Sequence, residues 1–156
     1  MQLKIILSGL LFLILLESCS DQHFYSERED IENGSWNYQD TLSYAVDIRD
    51  TVDRYDIGLK LQHSKEYGFE NLYIKILTHF PDGRNLSQTL SLDFADHTGR
   101  WYGDCRGDVC TLVAILQNNA MFDQLGLHRF QIVQYMRTDP VQGIDQIDLF
   151  LDKKSG

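Results

Sequence analysis

Proline is nearly missing from this chain, with two residues in 156. A Pro-rich stalk or rigid spacer is excluded with it. Cysteine is scarce too, at three residues. That excludes a disulfide-dense mini-scaffold and leaves a four-ligand zinc site without a second cysteine pair. Bases are outnumbered, 14 Lys and Arg against 23 Asp and Glu, for a net charge of −9. A surface of that sign argues against nucleic acid, which selects basic patches, and against lying flat on anionic lipid. The signatures GxSxG, HExxH, the P-loop and the dinucleotide fingerprint are all absent. The five histidines, His23, His63, His79, His97 and His128, stand at no ligand spacing and read as surface or edge residues. No metal and no cofactor are expected.

Long apolar runs are missing as well, with one exception. From Ile5 to Leu16 the chain is almost continuously apolar, preceded by a single base, Lys4. About a dozen residues make a secretory h-region and fall short of the roughly 20 that span a bilayer. The run ends in Leu16-Glu17-Ser18-Cys19, which resembles a bacterial lipobox: a branched apolar residue three before a cysteine and a small residue one before it. Residues 1–18 are therefore expected to be a lipoprotein signal peptide. Cys19 is then the lipid attachment site, acylated on sulfur and amine (palmitate on one of them). A plain signal peptide or signal anchor is the alternative. Several acyl chains, each contributing about 0.8 kcal/mol per buried methylene, make such an anchor effectively permanent. Removing residues 1–18 leaves 138 residues at the same net charge, because the removed piece holds one base, Lys4, and one acid, Glu17.

What remains reads as a short tether and one domain. Residues 19–34 are polar and aperiodic and are expected to be flexible. Residues 35–152 then alternate with period two. Tyr44, Val46 and Ile48 are one set; Tyr55, Ile57, Leu59 and Leu61 another; Leu72, Ile74 and Ile76 a third; Phe130, Ile132, Gln134 and Met136 a fourth. Pro81-Asp82-Gly83 is a turn with a mechanism: preset φ, a local side-chain acceptor and permitted positive φ. TLVAILQ, from Thr111, is a continuous apolar run that fits a buried strand or a short helix. Gly58, inside a strand, marks a bulge or a close neighbour. About eight strands at spacings of ten to fifteen residues predict an all-β, antiparallel β-sandwich of jelly-roll-like form.

Candidate chemistry is thin. Asp93, Asp96, Asp104 and Asp108 offer carboxylates for glycoside hydrolysis or a calcium loop, but solvated faces and loop caps explain them more simply, and the EF-hand spacing is absent. Trp36, Trp101 and Tyr102 fit either a sugar-stacking platform or core packing, and core packing is the preferred reading of the tryptophans. Cys105 and Cys110 enclose four residues in CRGDVC. In an exported chain they are expected to form a disulfide, with two free thiols as the alternative.

Short segments taken in order carry a family resemblance. They are Trp36, Asp50-Thr51, Tyr55, Leu59-Lys60-Leu61-Gln62-His63, Tyr67, Asn71-Leu72-Tyr73 and Pro81-Asp82-Gly83. Gly99-Arg100-Trp101-Tyr102-Gly103, Gln134-Tyr135-Met136-Arg137 and Gly143-Ile144-Asp145-Gln146-Ile147 follow. Together they resemble the GldH gliding-motility lipoproteins of the Bacteroidota, over residues 19–151. Gln62 stands where an arginine is expected, and the cysteine pair looks like a local addition. The resemblance implies a lipid-anchored, non-enzymatic cell-envelope protein, in the outer membrane, that assists a gliding-motility-related complex. It brings no catalytic residue with it. The implied partners are the membrane, through the anchor, and other envelope or gliding-machinery proteins; no nucleic acid is expected. Exposed aromatic and arginine side chains dominate affinity at such surfaces, and Tyr135 and Arg137, with Tyr102, are the candidates. A carbohydrate-binding surface lipoprotein of β-sandwich type is the alternative.

Overall fold

A computed structural model describes residues 23–154. Cys19 and the expected signal segment lie outside the described residues. Eleven strands form: β1 Tyr25–Asp30, β2 Ser35–Trp36, β3 Leu42–Ile48, β4 Tyr55–Ser64, β5 Asn71–His79, β6 Asn85–Asp93, β7 Asp104–Arg106, β8 Val109–Ala120, β9 Gly126–Gln134, β10 Val141–Gln142 and β11 Ile144–Lys153. Three of them, β2, β7 and β10, are two or three residues long. Of the other eight, seven fall where alternation predicts strands, and β1 falls in the segment expected to be a tether.

One sheet runs β1-β11-β4-β8-β7 and the second runs β3-β9-β5-β6, with β2 and β10 paired by themselves. Every pairing is antiparallel. Read along the chain, the long strands cross from sheet to sheet in the double Greek-key order of a jelly roll. The reason is the alternation itself. Leu59, Leu61, Leu72, Ile74, Ile132, Ile147 and Leu151 are each fully buried, and they come from both sheets. Period-two patterning gives each sheet one apolar face, and only face-to-face packing removes both from water. Tyr44 ties the layers together: from β3 its hydroxyl donates to the Ile147 carbonyl on β11 at 2.7 Å. Burial pushes that phenol well above its ordinary pKa.

Three readings are settled or corrected by the packing. TLVAILQ lies in β8, held to β4 along its length. The flexible tether expected over 19–34 does not hold for its later part, because Tyr25–Asp30 pairs residue for residue with β11 and Ile31 is buried. An edge strand has solvent on one side, so β1 needs only Tyr25 against the core and reads as polar. The histidines divide. His63 and His128 are fully buried, not at the surface, each lodged among aromatic rings.

Gly58 has both features its position suggests. The β4–β8 register slips beside it, and a Cβ there would lie 2.3 Å from Cζ of Phe150. The Phe150 ring crosses β4 through the space a side chain would fill. The Pro81-Asp82-Gly83 turn also forms: the Phe80 N–H donates to the Arg84 carbonyl at 2.9 Å, and Gly83 has φ +88°. Asp82 accepts from the Arg84 N–H, the Gln124 amide and the Arg84 guanidinium, which holds its carboxyl down at about 2.

Candidate functional site

At one end of the sandwich, where β9 runs out and β5 begins, a groove of about 910 Å³ opens on the outer side of the four-stranded sheet. Its walls are Tyr38, Phe69, Tyr73 and Tyr135, with Met136, Arg137 and Thr89. Strand geometry explains Tyr73: its neighbours Leu72 and Ile74 point inward, so it points out. The four rings are exposed, Tyr135 most at 52%. Aromatic surface left in water at this density marks a recognition site more than a packing remnant.

The loop carrying Tyr135 and Arg137 is built from below. Gln134, 1% exposed, accepts the Met136 N–H at 2.8 Å. Its amide donates to the Thr138 carbonyl at 3.3 Å and to Asp139 Oδ1 at 3.4 Å. Tyr38 latches the loop from the other side. Its N–H donates to Asp139 Oδ1 at 2.8 Å and its hydroxyl to the Met136 carbonyl at 2.7 Å. The segment bearing Tyr38 is in turn pinned by Trp36, whose buried indole donates to the Asp40 carbonyl at 2.7 Å. Pairing of β2 with β10 holds the two segments side by side. Lys75 places its Nζ 4.6 Å above the Tyr135 ring. That is an attractive geometry for a cation over an aromatic face. Among the described residues Arg137 forms no ion pair, so its guanidinium remains available to a ligand.

Tyr135 and Arg137 thus come together, as expected of a shared surface. Tyr102 does not join them. It is exposed on the loop after β6, its N–H donating to the Phe94 carbonyl at 2.7 Å, and it does not line the groove. Tyr38, Phe69 and Tyr73 were missed by sequence reasoning. An outward-pointing aromatic on a strand was the available signal for Tyr73. Nothing local marks the other two, which reach the groove from loops.

The remaining candidates have structural roles in the described region. Trp36 is fully buried, and Trp101 packs on the core beside His63, 4.8 Å between ring centroids. Asp96 caps its own loop, accepting from Thr98 and Arg100, and sits at about 2 because of those donors. Asp104 pairs with Arg106 at 2.9 Å. Cys105 and Cys110 face each other across the β7–β8 hairpin and are joined as a disulfide. No three His, Cys, Asp or Glu side chains converge as a metal set among the described residues.

Fold and groove define an all-β jelly-roll protein whose most elaborated surface is an aromatic groove held by a buried amide. The chain belongs to the GldH lipoprotein family, whose sequence model matches residues 23–149. It is similar to the gliding motility lipoprotein GldH homolog of Christiangramia forsetii, 29% identical over 141 residues, covering 90% of this chain and 86% of that protein. It is also similar to gliding motility lipoprotein GldH of Flavobacterium johnsoniae, 22% identical over 148 residues and 93% and 91% of the two chains. Among solved structures, the infectious bursal disease virus VP2 subviral particle aligns with TM-score 0.34 and 13% identity over 89% of this chain and 36% of that one. That likeness is too slight to bear on function.

Proposed function

We propose that this chain is a non-enzymatic lipoprotein, anchored through acylated Cys19 in the outer membrane, that holds a partner of a gliding-motility-related envelope complex in its aromatic groove. The observation that carries the reading is the supported loop: a buried glutamine and a tyrosine latch fix Tyr135 and Arg137 in place without burying either. Preorganised anchors of this kind reduce the ordering cost of binding. Family membership supplies the context, since relatives bear the name of gliding motility lipoproteins. Arg137→Ala is expected to leave the melting temperature within the small range of surface substitutions, about 0.5 kcal/mol, while weakening partner recovery from the native envelope by tenfold or more. If Arg137→Ala retains full recovery, the groove is not the docking surface. Cys19→Ser is expected to release the protein from membranes; unchanged fractionation would overturn the anchor.

The exposed rings favour a second reading, a carbohydrate ligand stacked on Tyr38, Tyr73 and Tyr135. Saturable stabilisation by a defined glycan, lost in Tyr135→Ala, would select it over a protein partner.

A further inference from the structure

On its side the sandwich is left unsealed. Strand β6 is the last of its sheet, paired only with β5, and β7 covers β8 only as far as Thr111. Between these two free edges lies a cleft of about 430 Å³, reaching the inner faces of both sheets at Ile76, Leu90 and Phe130 on one side and Ile57, Leu116 and Leu149 on the other.

The backbone says what would fit. Cys105 and Cys110 have Cα atoms 3.9 Å apart, the close spacing of a non-hydrogen-bonded antiparallel pair. Their neighbours Val109 and Thr111 therefore make the bonds to β7. By the same alternation, the N–H and C=O groups of Val113 and Ile115 point away from β4, past the end of β7. They face outward above the cleft with no strand to receive them.

Edges of this kind are ordinarily defended by charge or proline. Here they are not. Thr111–Met121 (TLVAILQNNAM) contains neither, and β6 carries one charge, at its last residue Asp93, in a chain where 24% of residues are charged. At that frequency, four or five charges are expected in those positions. On the outer face Val113 and Ile115 stand 55% and 47% exposed, and across the cleft Leu86 is 45% exposed.

We propose that the β6–β8 seam receives an extended, uncharged segment of another envelope protein. That segment pairs with β8 at Val113 and Ile115 and lowers every second side chain into the cleft, closing the sandwich along its open side. Main-chain bonds supply affinity and the apolar cleft reads the alternate residues, the logic of strand addition. An acyl chain would fill the cleft but leave the backbone groups unsatisfied, so the paired edge favours a polypeptide.

The test uses the full chain in its native envelope, with the photoreactive residue p-benzoyl-phenylalanine replacing Leu86. The expected product, mapped by mass spectrometry, is a crosslink to one short segment of a second protein, uncharged and apolar at alternate positions. Ile115→Lys in the same chain should lower the yield at least tenfold without moving the unfolding midpoint. Gln88→Lys, exposed on β6, serves as the second variant should Ile115→Lys fold poorly. Crosslinks only to lipid, only to another copy of this chain, to a charged or helical segment, or to nothing would each overturn the proposal. So would a yield indifferent to both lysines.

Discussion

Gln134→Leu should separate the construction of the groove from the chemistry of its surface. The substitution keeps side-chain volume at a position that is 1% exposed and removes three hydrogen bonds. The shortest matters most. At 2.8 Å, Gln134 accepts the N–H of the buried Met136, and a leucine side chain offers that N–H no acceptor. A buried donor left unmet costs about 1–3 kcal/mol. The two bonds from the amide nitrogen, at 3.3 and 3.4 Å, are long and add a few tenths each. Extra apolar burial by leucine returns part, on the order of 1 kcal/mol. The net expectation is a loss of about 0.5–2.5 kcal/mol. For a domain of this size that lowers the melting temperature by roughly 2–10 °C. Calorimetry on wild type, Gln134→Leu and Arg137→Ala reads the stability, and partner recovery reads the function. Gln134→Leu should depress both, Arg137→Ala only the second. A Gln134→Leu protein that melts with the wild type would refute the claim that this amide holds the loop.

Other consequences are separable. Gly58→Ala should cost about 1–3 kcal/mol in urea unfolding, because its Cβ displaces the Phe150 ring, and Phe150→Ala in the same chain should recover part of that loss. Replacing both Cys105 and Cys110 by alanine should lower stability by about 2 kcal/mol, the loop-closure value for so short a ring; an unchanged midpoint would mean the bridge is energetically idle. Burial among aromatic rings pushes the His63 imidazole below its ordinary 6.5. The unfolded chain then binds a proton that the folded one resists, so this contribution is whole above 6.5 and is lost as pH falls below it. His63→Leu should flatten the stability profile between pH 7.5 and 5, and a slope equal to wild type would count against it.

The fold was legible because alternation is a strong signal wherever one face is buried. Leu59, Leu61, Leu72, Ile74 and Phe130 all point inward as their spacing predicts. The misreadings share a cause: each concerns a segment whose environment is set by remote chain. Strand β1 looks like a tether because an edge strand needs few apolar residues, and its partner β11 lies more than 100 residues on. His63 and His128 look like surface groups because a neutral imidazole can be buried once one nitrogen is satisfied. Nδ1 of His63 donates to the Ser64 carbonyl at 2.9 Å, leaving Nε2 as a bare acceptor among rings. No local pattern encodes that. Only part of the groove was visible for a similar reason. Tyr135 and Arg137 stand out in sequence, whereas Tyr38 enters through a hydrogen bond 98 residues away in the chain.

The placement of the surfaces follows from strand direction. Near its start the described chain is fixed by Phe24 against Tyr55, 4.9 Å between centroids, with Tyr55 in turn 5.7 Å from Phe122. Tyr55 begins β4 and Ser64 ends it; the groove lies at the far end, where β5 starts just beyond. Ten residues of strand span about 30 Å. Under the proposed attachment through Cys19, four residues before His23, the sandwich stands between membrane and groove as a spacer. A partner in the groove is then held about one domain length from the bilayer, while the seam between β6 and β8 runs along the side of that spacer. Shortening the chain between Cys19 and His23 should consequently leave groove binding intact. Truncating Tyr38, at the distal end, should abolish it while the protein stays folded and membrane-bound. If instead a truncation next to the anchor removes binding and Tyr38→Ala does not, the partner is recognised at the membrane end and this orientation is wrong.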